Sequence, residues 1–380
     1  PRLYNLFPLL AGPLDGWDAH LPRIAAMGFD WVFINPIFYP GFSGSFYATK
    51  DFERLHPMVQ GASEAKPDRL LAHFVEAAAG HGLSVMLDLV INHVSKDALL
   101  VAAEPDWFGR EADGALRSAR AIDPLDPRVE TVWGDLAEID YRQPALRERQ
   151  VEYWARLVRR LLGLGIAGFR CDAAYQVPAE IWRPLIAETR ESAAGCVFAA
   201  ETLGCTPAQV QGLGDCDFDY FFNSVKWWDG HADWLLEQYD LYRHLAPTIG
   251  FPESHDTPRL VSELLEAQPE LDSASIERHY RLRYLLAATF ANGVMLPMGY
   301  EYGFAQRLDV VQTRPGDWDW EAAEPRFDLS PFIAAVNAMK AACPALNVEG
   351  AQARLPAPDA GLVGLLRVDG GAPRAAGEAT

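Results

Sequence analysis

No stretch of this 380-residue chain approaches the ~18 consecutive apolar residues of a membrane helix, and no basic segment followed by an apolar core opens it. A membrane span and a secretory signal are therefore not expected, and the expected compartment is cytoplasmic. Cysteine is scarce: the five, at 171, 196, 205, 216 and 343, are odd in number, form no Cys-x-x-Cys pair and read as reduced core thiols. Basic charge is short as well. Lys and Arg total 33 against 52 Asp and Glu, a net charge of −19, which opposes nucleic acid or an anionic membrane as the main partner. An uncharged ligand is compatible with that charge, and so is a merely well-solvated surface. An initiator Met is missing, and the chain runs out through Gly370-Gly371-Ala372-Pro373. Both features suggest a piece of a longer polypeptide.

What is present is a large apolar fraction, 49%, in a repeating order. Short apolar runs of strand type fall near 3–10, 31–37, 84–91, 166–171, 196–200, 218–223, 248–252 and 294–298. Amphipathic segments of helical period lie between them, including 66–81, 145–163, 179–192, 230–244 and 274–291. Strands alternating with helices imply parallel pairing through right-handed crossovers, and eight such units imply closure into a (β/α)8 TIM barrel of the α/β class. The chain exceeds the ~250 residues of a bare barrel. The excess falls in two places. About fifty residues separate the third strand from the helix near 145 and include Trp107, Asp123-Pro124-Leu125-Asp126-Pro127 and Trp133-Gly134-Asp135-Leu136, enough for a small inserted subdomain. A strand-like stretch from Gly361 to Val368 reads as the start of a truncated C-terminal β module. The expected domains are a catalytic barrel at 1–92 and 141–342, an insert at 93–140 and an incomplete β module at 343–380.

Three acids stand at the ends of barrel-strand runs. Asp172 ends Gly168-Phe169-Arg170-Cys171-Asp172, Glu201 closes Val197-Phe198-Ala199-Ala200-Glu201, and Asp256 ends Phe251-Pro252-Glu253-Ser254-His255-Asp256. A fourth run, Asp88-Leu89-Val90-Ile91-Asn92-His93, supplies a histidine in the same situation. In a parallel barrel the C-terminal strand ends and the loops after them build the active site, so these residues share one rim. Each alone has a bland explanation: an ion pair for Arg170 and Asp172, a helix cap for Glu201, a satisfied buried histidine for His255. Their coincidence on one rim favours a pocket.

These four runs resemble, in order, the four signature segments of the α-amylase family, glycoside hydrolase family 13. Asp88 and Asp172 are 84 residues apart, Asp172 and Glu201 29, and Glu201 and Asp256 55, all compatible with the barrel. Leu136-Ala137-Glu138-Ile139-Asp140 resembles the stretch that closes that family's inserted domain, and Phe46-Tyr47 with Asp51 resembles its Gly-Tyr-x-x-x-Asp loop, with Phe46 where Gly is usual. The resemblance implies a retaining cleavage of α-1,4-glucosidic bonds through a glycosyl-Asp intermediate. Asp172 would be nucleophile, Glu201 general acid/base and Asp256 transition-state stabiliser, with Tyr47, Asp51, His93, Arg170, His255 and Arg259 binding substrate or positioning the acids. Two residues apart on a strand, Arg170 and Asp172 point to one face, and Glu201 needs a raised pKa to hold its proton near neutral pH. No cofactor is required. Calcium is possible, with Asn92 and Asp140 where the family often binds it, although two ligands fall short of the six to eight oxygens calcium takes.

Two departures bear on the reaction. Many amylases follow the nucleophile segment with Lys-His, where this chain has Ala173-Ala174-Tyr175-Gln176. Tyr280 to Thr289 and Met298-Gly299-Tyr300-Glu301 resemble the maltosyltransferases that use maltose-1-phosphate. The expected partner is an α-1,4-glucan or maltooligosaccharide, handled by a hydrolase or transglycosylase, with maltosyl transfer as the alternative. A catalytically silent glucan-binding or assembly module is an alternative of another class. A metal-dependent barrel hydrolase lacks its His-x-His pair and leaves Arg170 unexplained. Among the rim aromatics Trp107, Trp133, Trp227, Trp228, Tyr300 and Tyr302, two or three are expected to contact sugar.

Overall fold

Alternation along eight short strands decides the architecture. In the computed structural model, which describes all residues except 125, 127, 357, 358, 360 and 369–380, the strands are β1 (Arg2–Leu6), β2 (Trp31–Ile34), β3 (Ser84–Leu89), β4 (Gly168–Cys171), β5 (Val197–Ala200), β6 (Tyr220–Phe222), β7 (Thr248–Gly250) and β8 (Gly293–Pro297). They pair in parallel in chain order, and β8 returns to β1 to close the barrel. Every run expected from sequence carries a barrel strand. The first is shorter than its apolar run, because Pro8, pre-set for a first helical turn, opens a short helix at Pro8–Ala11.

Inward positions form a separate apolar cluster of Leu3, Phe33, Met86, Ala199, Phe222, Ile249, Phe251 and Met295. Outward neighbours such as Val32, Ile34, Leu87, Phe169 and Phe198 join the larger layer beneath the helices. Pro67–Gly80, Pro144–Gly163, Ala179–Ser192, Trp234–Tyr242 and Ser273–Phe290 are among those helices, within a few residues of the expected segments. Two residues further up the same inward register stand Asp88 above Met86 and Glu201 above Ala199. On β4, Arg170 lies inward beside Asp88 on one side and Ala199 on the other. Strand period alone therefore delivers charged groups to the barrel's upper end. At the lower end Gly168 lets β4 approach β5, since a Cβ would come within 2.8 Å of the Val197 carbonyl.

After β3, residues His93–Ser95, Ser118–Ile122 and Glu130–Glu138 form a three-stranded antiparallel sheet. Of the proline-rich stretch within it, Leu125 and Pro127 lie outside the described residues. Near the C-terminal end, Gln352–Leu355 pairs with Gly364–Arg367 in an antiparallel hairpin. Arg367 holds it to the barrel, donating to the Phe290 carbonyl at 2.5 Å and the Ala345 carbonyl at 2.7 Å. The Gly-, Ala- and Pro-rich end from 369 lies outside the described residues. No helix among the described residues is long and apolar enough to cross a membrane. The five cysteines are free thiols, three of them buried.

Candidate active site

Arg170 is the hub of the barrel's upper end. Its Nη1 donates to both oxygens of Asp88 at 2.9 Å and to Asp172 at 2.6 Å, and its Nη2 stands 3.5 Å from Glu201. One guanidinium thus gathers three carboxylates, two of them the expected catalytic pair. Asp172 and Glu201 reach it because each backbone extends the ladder by one residue: the Asp172 amide bonds the Leu89 carbonyl and the Glu201 amide the Cys171 carbonyl. Ala173 takes a left-handed backbone, φ +40°, unusual for a residue with a Cβ. That turn aims the Ala173 amide at Glu201, donating at 2.8 Å.

Burial dominates the electrostatics. Desolvation pushes the Glu201 carboxyl up to about 7; Arg170 opposes, while the negative charges of Asp172 and Asp256 add to the rise. Asp88, fully buried, is likewise raised to about 6 by desolvation against the pull of Arg170. Asp256 behaves in the opposite sense. Its side chain keeps an open face yet lies among protein atoms; desolvation would raise it, and His255, Arg170 and Arg307 overcome that and hold it at about 2.

A polar chain crosses the barrel mouth to Asp256. The Asn5 amide donates to Asn35 Oδ1 at 2.8 Å, and the Asn35 amide to the Tyr47 hydroxyl at 3.0 Å. Tyr47 gives its single proton to Asp88 at 2.7 Å, so His255 Nε2, 2.8 Å from the same hydroxyl, is the donor there and also meets Asp256 at 3.0 Å. Ring stacking of Tyr47 on His255, 8° from parallel, completes the lock. Phe46 is buried against Phe7 and packs against Tyr47. His93 lies near Asp172, and its buried ring faces the Tyr47 backbone. Burial lowers its pKa, against the opposing pull of Asp172.

Tyr47, His93, Arg170, Asp172, Glu201, His255 and Asp256 therefore converge. Two expected residues do not. Arg259 is buried and paired with Glu253 at 2.8 Å, and it also donates to the Met298 and Gln306 carbonyls. It pins loops behind the pocket and contacts neither Asp256 nor a pocket opening. The Asp51 carboxylate accepts the Glu53 amide at 2.9 Å and acts on Tyr153, on the flank of the barrel. Its strand direction turns it away from the acids.

The residues suggested for calcium do not fit such a site. Both oxygens of Asp140 are engaged by the Arg142 guanidinium, at 2.8 and 2.7 Å, with Arg117 at 3.8 Å. Asn92 donates to Gln176, leaving one free amide oxygen. No cluster of three or more His, Cys, Asp or Glu residues suited to a metal occurs among the described residues. Of the six rim aromatics, Trp107, Trp228 and Tyr300 are core and Tyr302 packs on Arg23, leaving Trp133 and Trp227 open to solvent.

Sequence reasoning assigned no role to Asn5, Asn35 or Asp88. A signal was present: each is a polar residue at the top of an apolar strand, in the inward register.

A closed parallel barrel with paired acids, a third acid and two histidines around one guanidinium defines a carbohydrate-active barrel. The comparisons agree. The family model described as "Glycogen debranching enzyme, glucanotransferase domain" matches residues 3–125. The α-1,4-glucan:maltose-1-phosphate maltosyltransferase of Burkholderia pseudomallei is 31% identical over 97% of this chain, which spans 31% of that protein. Its counterpart from Myxococcus xanthus is 28% identical over 88% of the chain and 50% of its own length. The fold matches an α-amylase from Lactobacillus plantarum at TM-score 0.72 and 20% identity, covering 96% of this chain and 84% of that one. An α-amylase from Geobacillus thermoleovorans gives TM-score 0.73 at 19% identity, covering 97% and 84%. Together these matches support a barrel domain of the α-amylase family, glycoside hydrolase family 13, near the maltosyltransferases. It spans half or less of the length of the two maltosyltransferases named here.

Proposed function

We propose that this domain cleaves α-1,4-glucosidic bonds with retention, through a glycosyl intermediate on Asp172, and passes the glycosyl group to water or a sugar. The observation that carries this reading is the unequal treatment of two carboxyls on one guanidinium. Asp172 forms a 2.6 Å ion pair with Arg170, as a nucleophile requires, while Glu201 is raised to about 7 and retains a proton to give.

In the first step the Asp172 carboxylate attacks the anomeric carbon as Glu201 protonates the departing oxygen. Asp256, ionised beside His255, accepts hydroxyls of the distorted ring, and His93 grips the same sugar. In the second step Glu201, now ionised, removes a proton from the acceptor, which displaces Asp172 and regenerates both groups. Tyr47 is held by three hydrogen bonds and presents a fixed ring to the sugar. The Gln176 side chain bonds Asn92 and the Arg120 carbonyl, so this loop braces the insert where many amylases contact the glucan.

Maltosyl transfer from maltose-1-phosphate is the second reading, favoured by the maltosyltransferase relatives. Arg170, the guanidinium that contacts the catalytic pair, is occupied by three carboxylates, which favours an uncharged leaving group over a phosphate. Incubation with maltoheptaose, with and without maltose-1-phosphate, followed by product mass analysis beside Asp172→Asn, separates the readings. Shortened or redistributed sugars without phosphate support the first. Extension that depends on maltose-1-phosphate supports the second, and binding without turnover marks a silent module.

A further inference from the structure

Ala173, the residue after Asp172, is held in a backbone state that its side chain disfavours. It sits at φ +40° and ψ +46°, and left-handed strain of this kind persists where the surroundings over-determine it, most often at active sites. Hydrogen bonds on both sides impose it here. Before it, the Asp172 amide is fixed on the Leu89 carbonyl. After it, the Ala173 carbonyl accepts the Gln176 amide at 2.8 Å, and the Ala174 carbonyl accepts the buried Trp182 indole at 3.0 Å.

The amide so placed donates to Oε2 of Glu201 at 2.8 Å, and Nη2 of Arg170 stands 3.5 Å from that same oxygen. Oε1 has no hydrogen-bond partner among the described residues, and it stays accessible on a side chain that is 15% exposed. The two oxygens therefore differ in kind. A backbone N–H can only donate, and in a neutral carboxyl the carbonyl oxygen is the stronger acceptor, so the proton resides on Oε1.

We propose that the Ala173 amide is a positioning group that confines the Glu201 proton to Oε1 and steadies the carboxylate that remains once the proton has gone. This rests on the α-glucan reading above. As the bond from the anomeric carbon to the departing oxygen breaks and an Asp172 oxygen takes its place, the Oε1 proton passes to the departing oxygen. Negative charge then grows on Glu201. An N–H bonds a charged oxygen more strongly than a neutral one, so this hydrogen bond tightens along the step and lowers its barrier.

The charged and titratable groups facing Glu201 are Arg170 and Asp172 from β4 and its end, Asp256 from the loop after β7, Tyr175 from the turn Ala174–Gln176 and Cys205 from the loop after β5. Burial pushes Tyr175 and Cys205 up to about 12, and Asp88, across Arg170, lies at about 6. A loss of activity as pH rises past 7 therefore reports Glu201.

The test replaces Ala173 with L-lactic acid, which keeps the methyl group and exchanges the N–H for an ester oxygen, beside Ala173→Gly, which keeps the N–H. The ester lacks a donor that favours ionised Glu201, so the alkaline limb of kcat/KM for maltoheptaose moves up by about one pH unit and its plateau falls about tenfold. With α-maltosyl fluoride, a donor that departs without an acid, kcat/KM stays close to wild type, and Ala173→Gly keeps the wild-type limb. An unmoved limb overturns the inference, and so does an equal loss on both substrates, which marks a purely structural amide. Infrared titration of the Glu201 carboxyl stretch, assigned by its absence in Glu201→Gln, reads the same shift without turnover. A shifted titration in a protein that turns over neither substrate keeps the proton placement and refutes the α-glucan reading, whereas an unshifted titration refutes the placement whatever the turnover.

Discussion

Two buried guanidiniums illustrate what distinguishes a working site from a structural pin: Arg170 at the mouth and Arg259 behind the loop after β7. Arg259 meets one carboxylate, Glu253, and spends its remaining donors on carbonyls, while the second Glu253 oxygen takes the Leu260 amide at 2.6 Å. Charge is balanced there. Arg170 meets three carboxylates, and the surplus negative charge adds to burial in raising Glu201 and Asp88. A balanced pair holds loops together; an unbalanced cluster stores a proton where chemistry can use it.

The largest effect that separates the two assemblies is at Asp172. Asp172→Asn keeps size and removes the nucleophile, so turnover of maltoheptaose falls about 10⁴-fold or more while the circular dichroism spectrum is unchanged. Glu201→Gln comes next, with a loss of about 10² to 10⁴ toward glucans. It also reports on stored charge. The folded pKa of Glu201, about 7, exceeds its unfolded value, so wild type has the related stability in full below the unfolded value and loses it as pH rises toward 7. Glu201→Gln escapes that loss, and denaturant titration at pH 8.5 should find it more stable than wild type by roughly 3 kcal/mol, with the difference gone near pH 4.

Arg259→Met tests the balanced side. It strands a buried carboxylate, costing about 3 to 5 kcal/mol of unfolding free energy, and the folded fraction keeps a near-normal KM. A large KM change at normal stability would return Arg259 to the substrate. The smallest effect is at the insert. Because Asp140 is held by Arg142, excess chelator leaves the melting temperature unchanged, and Arg142→Ala, with its guanidinium largely exposed, costs ~0.2 to 1 kcal/mol.

Legibility from sequence followed the same division. Barrel strands that are covered on both faces read as apolar runs, and an acid at the end of such a run marks the rim, so the eight strands and the positions of Asp172, Glu201 and Asp256 could be read directly. Side-chain direction in loops could not. Arg259 and Glu253 flank Asp256 in one motif, yet their loop turns them inward to Met298 and Gln306 while Asp256 faces the mouth. Asp51 failed for a similar reason, since its strand pairs with Phe38–Pro40 through two register shifts. Asn5, Asn35 and Asp88 acquire meaning only once closure of the barrel brings β1, β2 and β3 around one tyrosine.

The central claim is that Asp172 takes the glycosyl group while Glu201 handles the proton. The direct test is mass analysis of peptides from Glu201→Gln after reaction with α-maltosyl fluoride, whose leaving group needs no acid. A maltosyl adduct on the peptide containing Asp172 is the predicted result. Turnover of the fluoride with no adduct at Asp172, or an adduct on another carboxylate, would contradict it.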